Sequence, residues 1–517
     1  MTARHALWAL IASSTLLHLA WAACLGPGND EAYHYLFTVH RDWSYYDHPP
    51  MMALVEQVGL TLAGGQVSAL SLRLGFIGLF AGSTFLMARL TSRFFGARAG
   101  VIAAFVLNAT AYYGAAASTF ALPDGPLVFF WLLTLDRMAV ALASPGRLSP
   151  WIGVGLAWAG ALLSKYQAVF LPAGAFLYLV LEPSARSWLR KPGPYLALVL
   201  GLVGFSPVIG WNAANGWASF AFQGGRAVEG LRFRPDALAW FVVGQALYLL
   251  PWVWVFLVGV LVRGGRRLLD GASPPERFLL CQAIPPLAVF LVISIGRPVL
   301  PHWTLVAFLS VVPMLGRDWS ALWGERSARL RRRLVILAVV PVVVVSGFAV
   351  QARWGVVPGI ASNDPTIDTY GWNQVSLEIE RRGLMNQPGT FLFTSKWYHS
   401  GHLAFATANR VPVLCYNPRR AHGFANWSRP DQWVGHDGLL VVVNDTTTEP
   451  DMFDRWFERI DYLGNFEVVR SGRPVRRIRF YRCVRQTHPF PFDGSHSEHP
   501  GDDLAANKEV DDGTKTQ

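Results

Sequence analysis

The sequence predicts an all-α polytopic membrane protein of about 11 transmembrane helices, followed by a small C-terminal α/β extracytoplasmic domain. Three observations carry this reading. Of 517 residues, 52% are hydrophobic and only 15% charged, against about 25% charged in an ordinary soluble domain, and the mean hydropathy is +0.29. The apolar residues gather in runs of about 15–25, close to the roughly 20 helical residues that cross a bilayer. After about residue 352 those runs stop, and short β-rich stretches alternate with helical ones. A soluble chain holding 21 Trp and 32 Phe would leave large apolar patches exposed.

The apolar runs fall at 6–25, 66–90, 99–115, 124–143, 150–164, 166–181, 194–212, 237–262, 277–295, 303–316 and 334–352. The first is read as a span rather than a cleaved signal, because Trp21 fits poorly in a cleavage site. With Met1 in the cytoplasm, the inside loops receive Arg89, Arg93 and Arg98; Arg147; Arg186, Arg190 and Lys191; and Arg263, Arg266, Arg267 and Arg277. The last inside loop adds Arg317, Arg326, Arg329 and the run Arg331 to Arg333. The first outside loop has one basic residue, Arg41, against Asp30, Glu31, Asp42, Asp47 and Glu56. This is the positive-inside pattern. The net charge of +11 is therefore an orientation signal, and nucleic acid is not an expected partner.

Residues 1–352 are expected to form the membrane domain, 353–487 a periplasmic α/β domain and 488–517 a polar, disordered tail. Strands are expected at Thr390–Thr394, Val411–Tyr416 and Gly438–Val443, with a hairpin from Phe466 to Arg485 turning at Ser471-Gly472. Helical stretches are expected around 366–382, 398–408 and 451–461. Four dispersed cysteines fit neither a zinc cluster nor a disulfide scaffold. Cys415 and Cys483 both end β-like runs, which leaves a disulfide between them open in an oxidising compartment.

The most informative segment is the acidic loop after the first span. Asp30-Glu31-Ala32-Tyr33-His34-Tyr35 is followed by Asp42-Trp43-Ser44-Tyr45-Tyr46-Asp47-His48-Pro49-Pro50. Interface anchoring explains some Trp and Tyr here, but not the density of acids and imidazoles, nor the double proline that holds Asp47 and His48 on a rigid turn. A carboxylate near the low-dielectric boundary can act as a general base. Carboxylates beside an imidazole also suit a divalent cation.

These residues resemble the GT-C membrane glycosyltransferases related to protein O-mannosyltransferases, and are similar to the bacterial aminoarabinose transferase-like enzymes. Matching stretches follow in order: Leu122-Pro123-Asp124, Leu163-Ser164-Lys165-Tyr166, Trp211-Asn212-Ala213-Ala214-Asn215-Gly216-Trp217, Leu300-Pro301-His302-Trp303 and Lys396-Trp397-Tyr398. The resemblance covers roughly residues 6–485. It implies an inverting glycosyltransferase that moves a sugar from a polyprenyl-phosphate donor to a glycolipid (lipid A or another), glycan or protein acceptor. The reaction would take place on the outer face of a bacterial inner membrane. Asp30 would be the catalytic base and Asp124 a further catalytic carboxylate. Lys165, Arg232, Arg297, His302 and His48 would face the donor phosphate, with Arg297 and His302 standing where relatives often carry a lysine. Glu31, Tyr33, Tyr46 and Tyr166 would line the substrate site. Asp47 and Glu229 would hold a divalent metal ion of unassigned identity. Arg73, inside the second span, must pair with a buried group or face a cavity. A lipid-linked glycan ligase or polymerase is the nearest alternative. A transporter is disfavoured, because ionisable residues cluster at outside helix ends and no repeated half is seen.

Overall fold

The structure is a computed structural model that describes residues 2–492, apart from 229–232, 323–326, 358–363, 386, 388, 419, 430, 445–447 and 449. Glu229, Arg232 and the tail from residue 493 lie outside the described residues. The membrane body is helical: α1 Ala3–Cys24, α2 Asn29–Val39, α3 Met51–Leu62, α4 Ala69–Phe95, α5 Ala97–Asn108, α6 Ala117–Thr119, α7 Asp124–Leu142, α8 Ser149–Ser164 and α9 Phe170–Leu181. It continues through α10 Pro192–Ala214, α11 Ala218–Val228, α12 Pro235–Leu249, α13 Pro251–Arg266, α14 Pro274–Gly296, α15 Leu305–Ala321 and α16 Ser327–Trp354. All eleven apolar runs are helical. Among the described residues, six helices are individually long and apolar enough to cross a membrane, or eight with two bent pairs counted as single spans.

Those two bends shape the interior. Between α5 and α6 the chain turns by 75° through a π-helical turn, Tyr112–Ala116, a conformation often found at functional sites. Between α12 and α13 it turns by 109°. There Pro251 supplies no N–H and Leu250 takes a φ of +68°, strained for a branched side chain. Each break leaves a tyrosine, Tyr112 or Tyr248, facing the same cavity.

The C-terminal region is built on one mixed sheet with β1 Thr390–Thr394, β2 Val413–Cys415, β3 Asp437–Val443, β4 Phe457–Arg470 and β5 Arg473–Gln486, in the order β2-β1-β3-β5-β4. Its helices are α17 Trp372–Arg381, α18 Trp397–Ala406 and α19 Phe424–Trp427. The hairpin turns at Ser471-Gly472 with φ of +50° and +78°, the paired positive values of a type I′ turn. The stretch 451–461 is not the expected helix. A 3₁₀ segment, Pro450–Trp456, gives way to strand at Phe457, because β4 pairs with β5 as far as Phe457 opposite Gln486. Nor do Cys415 and Cys483 bond. Both are free, and β1 and β3 separate their strands. Three strand spacings of about 4.8 Å greatly exceed the reach of a disulfide.

The sheet region is not a tethered lobe. One apolar cluster runs from Leu36 and Phe37 of α2 through Leu403 of α18 to Val441 and Phe480 of the sheet. Gly401 permits the crossing of α18 over α2, since a Cβ there would lie 2.7 Å from the Tyr33 backbone nitrogen. His402, stacked on Trp372 at 4.6 Å, bonds through Nε2 to Asn29 Oδ1 at 2.9 Å. At the hairpin tip Arg470 bonds Asp364 at 2.5 Å, and Ser471 donates to the Trp354 carbonyl at the end of α16 at 2.7 Å.

A buried ion pair anchors the foot of α2. Arg73 of α4 donates to Glu31 through Nε at 2.8 Å and Nη2 at 2.5 Å, and to the carbonyls of Ala22, Leu25 and Gly26. Glu31 also accepts from the amides of Gly28 at 2.9 Å and Ala121 at 2.8 Å. Breaking such a pair leaves one charge uncompensated. Arg73→Met is therefore expected to destabilise the protein by about 3–5 kcal/mol, read as a lowered thermal midpoint in detergent.

His402 gives a pH dependence. Burial, with Arg476 and His399 nearby, holds its imidazole well below the usual value. The unfolded chain therefore takes up the proton first as pH falls below about 6.5, and stability falls with it. His402→Gln, which keeps a donor toward Asn29, should reduce that slope by up to about 1.4 kcal/mol per pH unit, checked by thermal unfolding between pH 4.5 and 7.5.

Candidate active site

The first turns of α2, the loop at Asp47 and His48, the start of α7, the end of α8, the 3₁₀ turn before α15 and, from the sheet region, the start of α18 and the loop between β2 and β3 enclose a cavity of about 390 Å³. Asp30 and Glu31 sit in that first turn of α2, where negative charge is favoured. Adjacent positions on a helix face different ways. Asp30 is exposed to the cavity, and among the described residues its carboxylate has no hydrogen-bond or ion-pair partner. Glu31, expected on the substrate, faces the opposite way and is engaged by Arg73. It does not line the cavity.

Across the cavity, Asp124 opens α7 and Lys165 ends α8. Both are buried, with Lys165 Nζ at 2.8 and 2.9 Å from the Asp124 oxygens. The Tyr112 hydroxyl, carried by the π-helical turn, also donates to Asp124. Asp124 is thus held as a counter-ion and orienting group for Lys165. An ammonium has three donors, so the lysine retains capacity for an anion in the cavity. His302, at the start of the segment leading into α15, lies over Tyr112 at 6.2 Å and beside Tyr248 at 6.1 Å.

The remaining expected residues divide. Tyr33 and Tyr166 line the cavity; the Tyr33 hydroxyl accepts from the Gly423 amide at 2.9 Å, and Tyr166 bonds Ser219 at 2.6 Å. Tyr46 does not line it, packing instead on Phe222 at 4.7 Å and His422 at 6.0 Å. Arg297 also stays outside the wall, where it donates to the Gly225 carbonyl at 2.8 Å and ties α14 to α11. His48 lines the cavity, 5.5 Å from His34. Burial, with His34 close by, lowers its pKa to about 3, so near neutrality it is an uncharged imidazole and not a fixed positive charge.

Asp47 meets a residue that nothing in the sequence pointed to. His422, from the loop between β2 and β3, places Nδ1 3.3 Å and 3.4 Å from its two oxygens. Burial would raise the Asp47 carboxyl, but the His422 ring and its hydrogen bond outweigh that and hold it down at about 2. The Asp47 carbonyl is tied to Gln223 at 2.7 Å. Trp397 lies 4.6 Å from His422 and 5.2 Å from Tyr33. Trp397 and His422 therefore form the roof, contributed by the sheet region. As a cation site, Asp47 and His422 offer one carboxylate and one imidazole. Among the described residues no three His, Cys, Asp or Glu side chains gather as a metal cage, and Glu229 lies outside them.

Comparison with known proteins agrees with this architecture. Residues 47–211 match the dolichyl-phosphate-mannose-protein mannosyltransferase family. No curated protein matches the sequence. Among solved structures, the chain is similar to ArnT from Cupriavidus metallidurans bound to undecaprenyl phosphate, with 17% identity, a TM-score of 0.61, and 92% of this chain and 98% of that one covered. The apo state of the same protein gives 17% identity and a TM-score of 0.59, covering 93% and 99%. At this identity the likeness is one of fold, and it runs through both the helical body and the sheet region. The chain is thus a membrane protein of the GT-C glycosyltransferase fold, resembling ArnT over nearly its whole length.

Proposed function

We propose that the protein transfers a sugar from a polyprenyl-phosphate donor to an acceptor, with inversion at the anomeric carbon. The acceptor would be a glycolipid such as lipid A, a glycan or a protein. The observation that carries this reading is the pairing, within one cavity, of an unengaged carboxylate, Asp30, with a buried cation, Lys165. The acceptor oxygen attacks C1 as the bond from C1 to the phosphate oxygen breaks. Asp30 takes the acceptor's proton, and the polyprenyl phosphate leaves with the bonding electrons.

The leaving group is stable as an anion, so positive charge aimed at it matters more than a proton donor. Lys165 supplies that charge, oriented by Asp124 and Tyr112. His302 and neutral His48 supply hydrogen bonds. Tyr33, Tyr166 and Trp397 offer ring faces to the sugar and the first isoprene units. A divalent ion held by Asp47 and His422 would add charge toward the phosphate when bound. The site would face the periplasm of a bacterial inner membrane, with the N-terminus cytoplasmic and the sheet region outside.

The reading is tested with purified protein in detergent, a panel of polyprenyl-phosphate monosaccharides and extracted envelope glycans. Asp30→Asn should lower turnover by about 10²–10⁴-fold while donor affinity stays unchanged. Full turnover in that variant would overturn the assignment. Lys165→Met should instead weaken donor binding as well as turnover, a split visible in KM against kcat. Removing divalent ions with EDTA and restoring them singly checks the metal component, which fails if turnover never changes.

A further inference from the structure

A second cavity lies elsewhere in the membrane body. It measures about 200 Å³ and is walled by α7 to α10, with Met138, Trp151, Trp158, Leu171 and Ala175 among its lining. Along α7 it begins at Thr134, ten residues beyond Asp124, which at 1.5 Å per residue is about 15 Å from the reaction cavity. The two cavities share no lining residue. The second is open sideways, where Phe176, Tyr195 and Leu198 are exposed. An apolar cavity of about 150 Å³ is enough to hold benzene, so this one accommodates a stretch of a single hydrocarbon chain.

Its rim is charged. Leu189 lines the cavity from a 3₁₀ segment, Arg186–Arg190, and Tyr195 donates to the Leu189 carbonyl at 2.7 Å. Lys191 Nζ lies 4.4 Å from the ring centroid of Trp188, which packs on Trp151 of the cavity wall at 5.1 Å. Among the described residues no carboxylate pairs with Arg186, Arg190 or Lys191. The acids at this end are already engaged: Glu182 by Arg277 and Ser184, and Asp136 by Arg89, Arg93 and Arg137. The segment that brings Leu189 into the lining of this lipid-facing slot therefore carries three cations, one of them bonded to the Val180 carbonyl at 2.9 Å, with no carboxylate partner among the described residues.

We propose that this groove binds one acyl chain of an anionic glycerophospholipid whose phosphate rests against Arg186, Arg190 and Lys191. A polyprenyl chain entering from the reaction cavity would carry its charge at the far end and leave these cations unmatched. A zwitterionic lipid would match them poorly. The site is separate from the proposed reaction and does not depend on it.

Native mass spectrometry of the full-length protein tests this, after equilibration in mixed micelles holding equal phosphatidylglycerol and phosphatidylcholine. One phosphatidylglycerol should be retained in at least about tenfold preference. The triple variant Arg186→Glu, Arg190→Glu, Lys191→Glu should lose that preference, and Ala175→Phe, which fills the slot, should lose retention of both lipids. Equal retention of the two lipids by the unmodified protein would overturn the proposal. So would polyprenyl phosphate at this stoichiometry, or a preference that survives both variants. Arg186 and Arg190 are exposed, and the double variant Arg186→Gln, Arg190→Gln, which should weaken the preference, keeps the test independent of any packing defect in Ala175→Phe or at Lys191.

Discussion

The Glu31–Arg73 pair is the constraint on which the rest of the site depends. Two opposite charges are withdrawn from water inside a membrane body, and each is saturated: Glu31 by Arg73 and two backbone amides, Arg73 by Glu31 and three carbonyls. Such saturation is what makes a buried pair tolerable. Its geometric effect is to fix four segments against one another: the end of α1, the foot of α2, the start of α4, and the loop entering α7. Asp30 is one residue from Glu31 and Asp124 three residues from Ala121. The two carboxylates on opposite walls of the cavity are thus set by one internal clamp.

The polar groups of the cavity follow a division of labour that their surroundings impose. Lys165 and Asp47 are each compensated by a specific partner, Asp124 and His422, as buried charge requires. Among the described residues His48 has no ion-pair partner, and burial keeps it neutral. Asp30 alone among these acids is both accessible and unengaged, the state a proton acceptor needs before substrate arrives. The break after α5 serves the same end, because it sets the turn that carries Tyr112 onto Asp124 at the cavity wall.

Much of this was legible in the sequence. The apolar runs gave the helices, since hydropathy and length decide where a chain can cross a bilayer. Asp30, Asp124 and Lys165 stood out as ionisable residues at outside ends of those runs. The Ser471-Gly472 turn followed from residues that tolerate positive φ. Other features were hidden for identifiable reasons. Glu31 and Asp30 look alike as neighbours, and only the rotation of the helix separates the one facing Arg73 from the one facing the cavity. The segment 451–461 carries Phe453, Trp456 and Phe457 at helix-like spacing, and cross-strand pairing with β5 overrode it. His422 had no local signal, because its meaning arises from a residue 375 positions away.

That separation has a consequence for how the protein is made. The roof rests on links between the two extremes of the chain: Asn29 to His402, Tyr33 to Gly423 and Asp47 to His422, each spanning more than 370 residues. Contacts of such high sequence separation are slow to form, and here they need the last strands, whose hairpin tip fastens to the end of α16. Without the sheet region, the cavity walls set by the helical body would stand uncovered by Trp397 and His422. Covering of the cavity thus draws on residues from both ends of the chain at once.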